Sequence, residues 1–90
     1  MAIRVEFYGL ARQRAGVGEI EIAPGATGVR LCDVLAEVAG RLPGLAAYIQ
    51  AGRLDATLAA NLDGSRFVTE GGTMIEDGQS LLLLSADAGG

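Results

Sequence analysis

Two glycines, Gly89 and Gly90, stand at the end of the sequence, after the run "SLLLLSADA". The reactive group there is the α-carboxylate of Gly90. Glycine has no Cβ and accepts nearly any backbone conformation. A terminal Gly-Gly can therefore thread a channel too narrow for other residues, with Gly89 giving steric clearance. The Gly90 carboxylate is then open to in-line attack on a nucleotide phosphate. From Ser85 to Gly90 no side chain is larger than aspartate, and six extended residues reach about 20 Å. Residues 85–90 therefore read as a flexible tail on a domain spanning 1–84.

Few other residues offer chemistry. Histidine is absent and Cys32 is the single cysteine, so neither a Cys/His zinc site nor an intrachain disulfide is expected. Cys32 falls at the edge of an apolar helical stripe and reads as a packing thiol. Its one basic neighbour is Arg30, too little to stabilise a thiolate. Gly71-Gly72 lacks the lysine and helix of a phosphate loop and reads as a turn. Asp63 and Asp77 each precede a glycine and belong to turns. Arg12 and Arg14 read as solvated loop charges. No nucleophile–base pair is present, so an independent enzyme is not expected. The net charge of −4 argues against nucleic acid as a partner. All seven basic residues are arginine, which leaves no internal lysine for acylation or conjugation. No run reaches the ~20 apolar residues of a membrane span. "MAIRVEFYGL" alternates and does not resemble a signal peptide, so a cytoplasmic location is expected.

The elements follow from periodicity. "AIRVEFY" turns Ile3, Val5 and Phe7 to one face and Arg4, Glu6 and Tyr8 to the other, a half-buried strand. "GEIEIAP" repeats the pattern. "GLARQRAGVG" between them predicts a helical turn or open loop. Leu31, Val34, Leu35, Val38 and Leu42 form one helical stripe, with Thr27 as the expected N-cap and Pro43-Gly44 as the stop. "LAAYIQAGRLDA" predicts a helical turn and then a loop. "ATLAANLDGSRFV" reads as strand, turn, strand, with Asp63-Gly64 as a two-residue hairpin loop. "TEGGTMIEDGQ" predicts a loop with at most a brief strand, and "SLLLLS" the last strand. About five strands and one main helix give an α+β, ubiquitin-like β-grasp fold with a mixed sheet. In it the first and last strands are parallel central neighbours and the helix crosses one face. An antiparallel sandwich is the rival architecture.

A strand under one helix needs apolar residues only at alternate positions. If Leu81 and Leu83 face the helix, Leu82 and Leu84 face away, beside Tyr8. Full exposure of two leucines forgoes roughly 3–6 kcal/mol of burial. Either the "YIQAGRL" segment folds over them, or they form an apolar docking patch next to the tail.

Three stretches carry a resemblance. "IRVEFYGLARQRAG", "TGVRLCDVLAEVAGRLPGL" and above all "EDGQSLLLLSADAGG" resemble the opening strand, single helix and Gly-Gly ending of the MoaD/ThiS family of sulfur carriers. In length the sequence matches members of the molybdopterin-like or modifier-like branch, and the former, represented by the molybdopterin synthase small subunit, resembles it most. The resemblance implies that a ubiquitin-activating-type adenylyltransferase docks on the outer sheet face and adenylates Gly90 with MgATP. A persulfide then converts it to a thiocarboxylate. The sulfur goes to an acceptor such as a molybdopterin synthase large subunit, in cofactor biosynthesis. It also implies that Tyr8, Leu82, Leu84 and Asp87 meet partners and that the chain itself binds no cofactor. The family's Phe-Pro-Pro ending is absent here, and Asp87 puts a charge near the reactive end. Two other readings stand beside this one: a ubiquitin-like modifier conjugated through Gly90, and a β-grasp interaction module without terminal chemistry.

Overall fold

The apolar run at Ser80–Ser85 (β9) and the alternating segment Ile3–Phe7 (β1) lie side by side and parallel in the middle of a five-stranded sheet. The computed structural model describes residues 1–87. Glu19–Ile22 (β2) pairs antiparallel with the outer side of β1. Leu58–Leu62 (β6) pairs antiparallel with β9, and Arg66–Phe67 (β7) extends that edge. The sheet order is thus β2-β1-β9-β6-β7. Strand pairing at period two sends alternate residues to opposite faces. Ile3, Val5, Phe7, Leu81 and Leu83 are fully buried on the inner face, joined by Leu58, Ala60 and Leu62.

The helix Leu31–Arg41 (α2) covers that face. Leu31, Val34, Leu35 and Val38 are its buried stripe, and Leu42 is partly buried behind them. The expected cap at Thr27 does not form. Val29–Arg30 (β3) is drawn into a two-residue pairing with Met74–Ile75 (β8), and the helix begins directly after it with Arg30 at the N-cap. Carbonyls do the work of a capping side chain: Leu31 N–H donates to Thr73 O at 2.8 Å and Cys32 N–H to Gly71 O at 3.0 Å. The helix ends at Arg41, as Pro43 requires. Pro43 then opens a short helix, Pro43–Ala46 (α3), because a first helical position needs no N–H.

The link after β1 is a helix, Leu10–Ala15 (α1), closed by Gly16 in the left-handed conformation. Arg14 on α1 places its guanidinium 5.8 Å from the Tyr48 ring. After α3, Ile49–Gln50 (β4) and Arg53–Leu54 (β5) form a small hairpin where a loop was expected. It packs against α2 on the helical side of the sheet. The turn at Asp63 is a three-residue loop, Asp63 to Ser65, because Leu62 pairs with Arg66. Asp63 fastens it to β9 by accepting from Ser80 N–H at 2.8 Å and Gln79 Nε2 at 3.0 Å.

The chain enters β6 through a turn built on Asp55. Its Oδ1 accepts from the Thr57 N–H and the Thr57 hydroxyl, both at 2.9 Å. These bonds, the backbone one first, hold the Asp55 carboxyl below its ordinary pKa. A lowered folded pKa contributes stability that is complete above the unfolded carboxylate range and is lost as pH falls through the folded value. Followed by NMR from neutral pH downward, the Thr57 amide will titrate with a midpoint below the usual aspartate range; a midpoint at or above it contradicts this turn. A second prediction concerns the α1–α3 contact. At Gly44 a Cβ would sit 1.9 Å from the Arg14 carbonyl oxygen. Gly44→Ala must push the two helices apart, at about 2 kcal/mol, and lower Tm by roughly 8–16 °C. An unchanged Tm refutes the contact.

Candidate functional site: the outer sheet face and the root of the tail

The period-two logic that buries Leu81 and Leu83 turns Leu82 and Leu84 to the opposite face, where both are half-buried. The pairing fixes their neighbours. Leu82 lies between Glu6 of β1 and Asn61 of β6, and Leu84 lies beside Ala59. Phe67 follows across from Asn61 on the edge strand and is 61% exposed. Tyr8, just past β1, is 45% exposed. The "YIQAGRL" segment does not fold over this face: it is the end of α3 and the β4–β5 hairpin, which pack on α2. The outer face therefore presents Leu82 and Leu84 together on β9, with Tyr8 at one corner and Phe67 on the edge strand beyond Asn61.

Its β2 side is acidic. Glu6, Glu19 and Glu21 share this face with Arg4, which lies 3.5 Å from Glu19 and 3.9 Å from Glu6. Tyr8 donates its hydroxyl to the Glu6 carboxylate. That bond, with the nearby negative charge, holds the phenol above its ordinary pKa. The Asn61 Oδ1 is buried without a hydrogen-bond partner among the described residues. A buried acceptor left unpaired is costly.

The tail leaves this sheet at a defined point. Ser85 is the last strand residue, and its Oγ accepts from the Leu10 N–H at 3.0 Å. Ala86 N–H donates to Thr57 O at 2.9 Å. Asp87 follows and is exposed. Gly89 and Gly90 lie outside the described residues. Of the residues expected to meet partners, Tyr8, Leu82 and Leu84 share the outer face, and Asp87 follows the end of β9. Phe67, Asn61, the Ser85–Leu10 contact and the Ala86–Thr57–Asp55 contacts were not anticipated. Phe67 alternates with Arg66 and Val68, a legible signal. The others depend on residues far apart in sequence.

Cys32 is half-buried at the start of α2, crossed by Gly52 and Gly71. It borders a cleft of about 650 Å³ with Leu35, Leu54, Leu58, Phe67 and Val68. None of Tyr8, Leu82, Leu84 and Asp87 lines that cleft. Among the described residues no group of three acidic, histidine or cysteine side chains is placed to hold a metal ion, and no helix is long and apolar enough to cross a membrane.

No family model matches the sequence, and no curated protein does. Solved structures do match its fold. SAMP1 from Haloferax volcanii superposes with a TM-score of 0.79 at 16% identity, over 100% of both chains. A putative molybdopterin converting factor, subunit 1, from Pyrococcus furiosus gives 0.75 at 22% identity, over 94% of this chain and 97% of that one. A chain of the Amycolatopsis orientalis BexX/CysO complex gives 0.72 at 22% identity, over 99% of this chain and 100% of that one. The chain has the ubiquitin-like β-grasp fold of these structures.

Proposed function

We propose that this chain is a sulfur carrier of the MoaD/ThiS kind, with the Gly90 carboxylate as its covalent site. The observation that carries the reading is the pair Leu82 and Leu84, half-buried on the outer face of the strand that continues into the Gly-Gly sequence. A docking face and a deliverable carboxylate on one element are what a partner needs to bind the body and receive the end. The outer face docks a ubiquitin-activating-type adenylyltransferase, with Leu82, Leu84, Tyr8 and Phe67 as apolar contacts. Its acidic side steers basic partners. The Gly90 carboxylate attacks the α-phosphate of the partner's MgATP and pyrophosphate leaves. The terminal sulfur of a persulfide displaces AMP, and a thiol cleaves the resulting acyl disulfide to leave the thiocarboxylate. The carrier contributes a tethered reactant at high effective concentration, and the partners supply catalysis. The acceptor is an enzyme of cofactor biosynthesis such as a molybdopterin synthase large subunit, and the setting is cytoplasmic. The likeness to SAMP1 favours a second role, conjugation through Gly90 to lysines of other proteins.

Mass spectrometry of the chain purified from its own host tests this directly. A thiocarboxylate adds about 16 Da, one oxygen exchanged for sulfur. Gly-Gly remnants on lysines of other proteins indicate the modifier role. A terminus never modified, with host function indifferent to deletion of Gly89 and Gly90, refutes both. Leu82→Asp and Leu84→Asp should keep the fold and weaken adenylyltransferase binding at least about ten-fold each, read by titration calorimetry. Undiminished binding moves the docking face elsewhere.

A further inference from the structure

The end of β9 is held from both sides by polar contacts that the core does not need. On the β1 side, Ser85 Oγ accepts from Leu10 N–H at 3.0 Å. Gly9, at φ +56°, leaves the space for it: a Cβ there would fall 2.8 Å from that oxygen. On the β6 side, Ala86 N–H donates to Thr57 O at 2.9 Å. Thr57 is itself gripped twice by Asp55 Oδ1. Asp55, Thr57 and Ala86 are exposed and Ser85 is half-buried. Such bonds, largely open to water, add little to global stability, while Leu81 and Leu83 already anchor the strand. What they fix is the position and heading of the backbone at Ala86.

We infer that Ser85 with Leu10, and Asp55 with Thr57, form a two-sided clasp that roots the tail and aims it from the docking face into a partner's active site. The inference rests on the proposed activation of Gly90. Four residues follow Ala86 in the sequence, an extended reach of about 14 Å. Over so short a span, a root that swings spreads the carboxylate over many positions and lowers its effective concentration at the bound nucleotide. Ser85 and Asp55 are positioning residues: they touch neither ATP nor the reacting carbon.

The test uses the full chain, a ubiquitin-activating-type adenylyltransferase from the same host, and pyrophosphate exchange with MgATP. Ser85→Ala combined with Asp55→Ala should lower kcat for adenylation about ten-fold and leave the KM for the carrier unchanged, because the docking strip is intact. Ser85→Thr and Asp55→Asn keep the accepting oxygens and should restore kcat. In parallel, the backbone amide order parameters of Ala86 and Asp87 should fall in the double alanine variant and recover in the conservative one. Native kcat in the alanine variant, or a loss confined to Tm and KM, overturns the inference. The relaxation measurement needs no partner and separates two failures. If the native chain is never adenylated, the proposed function falls, and unchanged order parameters then remove the clasp as well.

Discussion

Everything in this molecule depends on the parallel pairing of β1 with β9. That pairing carries the C-terminal strand into the middle of the sheet, where Leu81 and Leu83 meet Val5 and Phe7 beneath α2. A strand in that place cannot peel away without opening the core. Because side chains alternate, the same placement commits Leu82 and Leu84 to the other face. The core positions and the half-buried outer leucines are thus two sides of one strand. A parallel pair needs a long crossover, and here almost the whole chain provides it, including the helix that closes the core.

Around this pair the fold separates a packed inner face from an open outer one. Burial is concentrated between the sheet and α2, and the short elements α1, α3 and the β4–β5 hairpin pack on that side. The outer face keeps half-buried leucines and an exposed phenylalanine beside a group of carboxylates. A surface serving only solubility would carry charge in place of Leu82, Leu84 and Phe67.

The long elements were legible because each has a single buried face that imposes a period. Ile3–Val5–Phe7, the α2 stripe and the Leu81/Leu83 alternation announce themselves, and they suffice to place the first and last strands together. The two-residue strands were not legible. Val29–Arg30 becomes a strand because Met74–Ile75 lies beside it, and that partnership, which displaces the cap expected at Thr27, leaves no local pattern. The same holds at Asp63, where ties to Gln79 and Ser80 accompany a loop longer than the Asp-Gly pair suggests. At the site, Leu82, Leu84 and Tyr8 could be read from alternation. The Ser85–Leu10 contact joins positions 75 apart, and nothing local to either residue announces it.

The central claim is that partners grip the outer face of the sheet. Chemical-shift mapping of the isotopically labelled chain against the host's ubiquitin-activating-type adenylyltransferase addresses it most directly. Perturbations should gather on Tyr8, Asn61, Phe67, Leu82 and Leu84 and run on through Ala86 and Asp87. Perturbations gathered on the exposed side of α2, at Ala36, Glu37 and Gly40, with the outer face silent, would contradict it.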